Sequence, residues 1–356
     1  MPAAGIPRMG RQGIFIHSLW RSGSTWLFEQ FRRSPAGYFC YQEPFHEALV
    51  QLDENPESLL GFSEETARSL RHPHLGHPYF QEFYDVREAL RGKFRPCMSY
   101  EAFFDPSVCP GLEDYVQTLI NAAPAAPVLQ CCRSFGRVRH LREAHGGVHM
   151  LLWRDAVSQW FSYQINDYFD VVCLLVLNAR NPPAPILALR EKIGLSGCRT
   201  ENFDSLYQSM RCFPLDMEQR YLIFYTLWLY SLLENHPQCD LDINLDRLTE
   251  DTSYAGLVTR SLASAGVNAV DLSSARSPVV FLEKSERQKF LVLERQVEEM
   301  FLDTGYSQQQ VRDILEIRNS NRPRRRATVG ALRNNLRQAR EMAYRYADRL
   351  SESRGS

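Results

Sequence analysis

The sequence predicts an α/β protein with a three-layer α/β/α arrangement around a central parallel sheet. Short apolar runs recur at 13–17, 128–132, 148–153 and 240–245, with the length and composition of buried strands. Helical patterns follow or separate them, and strands alternating with helices are the signature of a parallel sheet covered on both faces. The chain, 356 residues long, can bury a large core.

Taken in order, Gly13-Ile14-Phe15-Ile16-His17 reads as the first strand. A loop over 18–24 breaks it. A helix over 25–33 follows, with Trp26, Leu27, Gln30 and Phe31 at recurring positions, and Ser34-Pro35 ends it. Val128-Leu129-Gln130-Cys131-Cys132 is a second strand. Residues 148–153 form a third, leading into a helix that begins near Asp155. The apolar run 221–233 carries Thr226 and Ser231 and is too short to span a bilayer, so it reads as a buried helix. The strand over 240–245 comes after it. We expect an N-terminal arm over 1–12 and a single domain over 13–322. Two helical insertions, near 50–127 and 166–217, interrupt the alternation, and a basic, partly helical tail occupies 323–356. Insertions of this kind often build substrate walls, although extra packing helices explain any single residue there equally well.

Composition excludes several classes. A net charge of -1 gives no global attraction to nucleic acid or anionic lipid, so any anion site must be local. No apolar stretch fits a secretory signal or a transmembrane helix. Nine cysteines carry no CxxC pair and no zinc-like Cys/His spacing. They read as reduced, buried thiols of a cytoplasmic protein, with no metal site expected. The arginine-rich stretch from Arg318 onward reads as a solvated tail, with closure of its Arg322–Arg326 part over an anionic ligand as the alternative.

Two motifs carry chemistry. Trp20-Arg21-Ser22-Gly23-Ser24-Thr25-Trp26 sits between strand and helix. Small residues there let backbone amides approach a phosphate, and the helix beyond presents unpaired N–H groups and a positive dipole end. Arg21 adds a permanent charge. The Walker spacing GxxxxGK[ST] is missing, which weakens the case for a magnesium-bound nucleoside triphosphate. Farther on, Arg154 closes a strand and Ser162 follows eight residues later, on the next helix. Taken alone, Arg154 and Asp155 read as a capped helix with a surface ion pair.

Together, these motifs make the sequence resemble the sulfotransferases that use 3′-phosphoadenosine 5′-phosphosulfate (PAPS). Arg21 to Trp26 is similar to the family's 5′-phosphosulfate loop, and Arg154 with Ser162 is similar to its 3′-phosphate motif. Cys40-Tyr41-Gln42-Glu43-Pro44-Phe45-His46 resembles the "EP…H" segment of the carbohydrate and bacterial branches. Asn244-Leu245-Asp246-Arg247-Leu248 stands where the family often shows "YEDL". The "RKGxxG" loop and the "KTH" strand motif of the cytosolic branch are absent, and Gln130-Cys131-Cys132-Arg133 stands near the latter's place.

The resemblance implies a P-loop-like sulfotransferase fold and in-line transfer of a sulfuryl group from PAPS to a hydroxyl, with 3′,5′-adenosine bisphosphate as product and no metal. It implies that Arg21, Ser22, Gly23, Ser24, Thr25, Trp26, Arg154 and Ser162 bind the donor, with Arg21 facing the leaving oxygen. Glu43 is the first choice for general base and His46 the second. Arg133 and Arg137 read more simply as surface charge than as ligand contacts. The expected acceptor is a glycan or a small hydroxylated molecule. A P-loop kinase or nucleotide hydrolase, and a non-catalytic nucleotide-binding relative, are the alternatives. Oligomeric state stays open.

Overall fold

The structure, a computed structural model, describes residues 12–61, 76–164, 167–200, 202–278, 280 and 282–321. The expected arm over 1–12 and the tail over 323–356, including most of the Arg322–Arg326 cluster, lie at or beyond these limits. Five strands among the described residues form one sheet in the order β2-β3-β1-β4-β5. β1 (Ile14–Ser18) lies at the centre, with β3 (Ala126–Cys131) and β4 (Val148–Trp153) on either side. β2 (Tyr38–Gln42) and β5 (Leu241–Asn244) form the edges. Every pairing is parallel, and the register sets Ile14 opposite both Val128 and Val148.

Alternation along the strands builds the three layers. Ile14, Ile16, Cys40, Val128, Met150, Leu152 and Ile243 point to one face. There they pack on Leu27, Phe28 and Phe31 of the Ser24–Arg32 helix and on Leu248, Tyr254 and Leu262. Phe15, Tyr41, Leu129 and Cys131 point to the other, against Tyr115 and Leu119 of the Leu112–Ala122 helix. Leu151 and Trp153 join them on that side, within the cluster centred on the Met217–Asn235 helix. That helix is apolar around most of its circumference and buried accordingly. Asp216 and Gln219 start it with a reciprocal capping box. No helix among the described residues is long and apolar enough to cross a membrane.

Four expectations need correction. The edge strand β2 was not expected as a strand. Cys97 and Cys109 form a disulfide, their Cα atoms 5.8 Å apart. This overturns the reading of all nine cysteines as reduced thiols and removes the argument for a cytoplasmic location that rested on it. Arg318 is not solvated: it ends the Gln308–Ser320 helix, buried, with its guanidinium 3.0 Å from Glu294 and 2.6 Å from the Tyr225 hydroxyl. Arg133 and Arg137 are not surface charges, being only 1% and 2% exposed.

Candidate active site at the C-terminal ends of the strands

In a parallel sheet, the ends where strands give way to helices collect loops and helix N-termini. β1 runs into the loop at Trp20, and Gln159 pins that loop by donating from Nε2 to the Trp20 carbonyl at 2.7 Å. Arg21 then takes a left-handed backbone conformation (φ 66), uncommon for a residue with a side chain and often found at functional sites. Gly23, at φ 94, caps the Ser24–Arg32 helix without a side-chain bond. A Cβ at Gly23 would clash with Leu245, so glycine is required both for conformation and for space. The first turn of the helix carries no acidic residue, leaving its positive end uncompensated.

Arg154 and Ser162, separated in sequence from the loop, both reach it. Arg21 Nε donates to Ser162 Oγ at 3.0 Å. Arg154 Nη1 lies 3.4 Å from the Arg21 carbonyl, and Nη2 donates to the Pro278 carbonyl at 3.0 Å. The Arg154 charge is buried and faces the fully buried Asp246 at 3.4 Å. Asp246 also accepts from the Asp155 amide at 2.6 Å and from the Ser277 hydroxyl. Asp155 caps the Ala156–Tyr163 helix as expected, accepting from the Ser158 amide. The surface ion pair does not exist, because Asp246 and the Pro278 segment cover Arg154. Trp26 turns away from the loop and donates to Ser274 Oγ at 3.1 Å. Sequence reasoning gave Asp246 and Ser277 no role. The weak "YEDL" match was the one signal for Asp246, and nothing marked Ser277.

The second expected motif leads to a buried ion cluster. Glu43 follows β2 with φ 53. Its Oε2 accepts from Arg133 Nη1 at 2.9 Å and from the Cys132 amide at 3.3 Å. Arg133 also reaches Glu47 at 2.8 Å and donates to the hydroxyls of Tyr100 at 3.1 Å and Tyr168 at 2.8 Å. Burial would raise the Glu47 carboxyl, but the Arg133 guanidinium outweighs it and holds Glu47 below the usual carboxylate range. His46 caps the short turn after it, its Nδ1 accepting from the Ala48 amide at 3.1 Å. Burial lowers this imidazole to about 3, which makes it a weak base. Arg137 lies beneath, donating to the carbonyls of Met98, Ala102 and Arg133, and burial lowers it to about 9.

The loop gathers groups that complement an anion. Ser22 Oγ is fully buried with no hydrogen-bond partner, a state that calls for a ligand or water. The uncompensated helix end and the two guanidinium groups beside the loop supply the complementary charge. Arg154 is already engaged, so a phosphate there would have to replace its two long contacts.

No protein-family profile matches the chain. Carbohydrate sulfotransferase 7 of Rattus norvegicus is 35% identical over 60 residues, which is 17% of this chain. The chain therefore spans only 12% of that protein's length in the match. The likeness is to a sulfotransferase over a short stretch, and the parallel sheet is compatible with that fold.

Proposed function

We propose that the chain is a sulfotransferase that takes its sulfuryl group from PAPS and places it on a hydroxyl of a glycan or a small glycosylated molecule. The observation that carries this reading is the meeting of Arg154 with the Arg21 loop, 133 residues apart in sequence and 3.4 Å apart in space. On this reading, two anion-binding elements that follow separate strands lie within the span of one nucleotide. PAPS would supply the activated sulfuryl group. The amides of Gly23, Ser24 and Thr25, the neighbouring hydroxyls and Arg21 would hold its 5′ end, and Arg154 with Ser162 the 3′-phosphate. Asp246 would act as a positioning residue, holding the Arg154 side chain by its Nε.

In the transfer, the acceptor oxygen forms a bond to sulfur as the bond from sulfur to the phosphate oxygen breaks. The electron pair leaves with the bisphosphate, and the acceptor proton goes to a base. Arg21 stands where negative charge grows on the leaving phosphate. Glu43 is the preferred base, since its carboxylate is held in place by Arg133 and the Cys132 amide, whereas His46 serves as a cap. A thermal-shift measurement tests the reading. We expect clear stabilisation by 3′,5′-adenosine bisphosphate without metal and little response to Mg-ATP. Equal responses would favour a kinase, and no response to either a non-catalytic relative. Labelled-sulfate transfer from PAPS to a panel of hydroxyl acceptors then tests the chemistry.

A further inference from the structure

The two insertions meet around a cavity of about 380 Å³, a volume suited to one or two sugar rings. One wall comes from Pro96, Tyr100 and Glu101, the other from Arg180, Arg199 and Phe203. Tyr100 is the link to the site described above: it borders the cavity while almost wholly buried, and its hydroxyl contacts Arg133 and Glu47. Phe203 stacks parallel to Tyr100, with centroids 6.1 Å apart. Phe203, half-buried at the cavity, offers an aromatic face for the apolar side of a pyranose.

The lining sets two arginines, Arg180 and Arg199, against one carboxylate, Glu101. Arg180 pairs with Glu101. Arg199 donates to the Asn178 carbonyl at 2.7 Å, and among the described residues no carboxylate pairs with it or with Arg190. The two belong to one group: Gly197 leaves room for the Arg190 guanidinium, and Arg190 is held below its usual value by burial and then by the nearby Arg199. The placement is also built rather than accidental. Buried Asn178 bonds the Cys198 amide and carbonyl, both at 2.9 Å, and so fixes the segment that carries Arg199. Arg199, which lines the cavity without a carboxylate partner among the described residues, and Arg190 beside it favour an anionic ligand there.

We propose that this cavity receives the acceptor, and that the acceptor is a pyranoside already bearing a carboxylate or a sulfate. The assignment as acceptor site rests on the sulfotransferase reading, but the binding chemistry does not. The test is calorimetric titration of the full chain, without donor. The ligands are methyl β-glucuronide, methyl 6-sulfo-β-galactoside and their uncharged parents, methyl β-glucoside and methyl β-galactoside. At least one charged glycoside should bind about tenfold or more tightly than its parent, which corresponds to about 1.4 kcal/mol. The gap should shrink with added salt, and which ligand shows it separates carboxylate from sulfate. R199A should remove most of the preference without lowering the melting temperature, and R199K should keep part of it. Equal binding of charged and neutral glycosides, no binding of any of them, or a preference that survives in R180A/R199A would overturn the proposal. Bisphosphate stabilisation without a charge preference sinks this site and leaves the sulfotransferase reading standing. A charge preference without bisphosphate stabilisation does the reverse and keeps an anionic-sugar site.

Discussion

The loop at Arg21 and the ion cluster at Arg133 lie on the same sheet and were assembled in opposite ways. The loop is short and continuous, and its small residues, left-handed glycine and following helix all belong to one stretch of chain. The cluster draws on Glu43, Glu47, Tyr100 and Tyr168, which lie 33 to 90 residues from Arg133 where a bond to it is made. The loop leads into a helix whose first turn holds no acidic residue. The cluster sets two carboxylates against one buried guanidinium. One region is built from a single stretch of chain, the other from distant segments closed around a buried arginine.

Breaking the cluster should have the largest effect on folding. Arg133→Met leaves two carboxylates without their buried partner, and we expect a loss of about 3–5 kcal/mol in urea unfolding. A loss under about 1 kcal/mol would show that water reaches the cluster freely. Glu43→Gln keeps the shape and removes the base. Turnover should fall roughly 10²–10⁴-fold while bisphosphate binding stays unchanged, and normal turnover would refute the assignment. On the loop side, Arg154→Ala should weaken bisphosphate binding on the order of 10²-fold, measured by calorimetry. A comparable loss in Ser277→Ala would extend the site to the strap that covers Arg154.

A separate effect, read in pH rather than by substitution, concerns the sheet beneath both regions. His17 and His149 form a buried chain: His149 Nε2 lies 3.0 Å from the Gly146 carbonyl, the two rings are joined at 2.9 Å, and His17 Nδ1 meets Ser134 Oγ at 2.8 Å. Neutral rings satisfy every contact. Burial, then the neighbouring His149, holds His17 well below the ordinary value, and burial lowers His149 to about 4. The unfolded imidazoles take up protons near pH 6.5 that the folded ones refuse. Stability is therefore full above that pH and falls as pH drops through it, by up to about 1.4 kcal/mol per pH unit for each ring. His46 adds the same trend. Denaturant midpoints at pH 7.5, 6 and 5 check this, and a flat profile would show that the rings are charged when folded.

The sheet centre and the loop were legible because each strand runs straight into its own signal, as Ile14–Ser18 runs into the Arg21 turn. β2 was not, because Tyr38–Gln42 carries two tyrosines and a glutamine where the other strands show aliphatic runs. Arg133 and Arg137 were misread because an arginine after a strand looks solvated until distant acids and carbonyls close around it. Arg318 misled in the same way, its partners Glu294 and Tyr225 lying on two other helices. The cysteine pair carried no spacing signal, since its partners are 12 positions apart and meet only because the intervening turns fold back.

That sulfur bridge encloses Met98 and Tyr100, so the ring that lines the cavity and touches Arg133 sits inside a small covalent hoop. A hoop restricts its members even when the rest of the chain is unfolded. Tyr100 accordingly gives up less freedom than an unbridged residue when the domain closes around it.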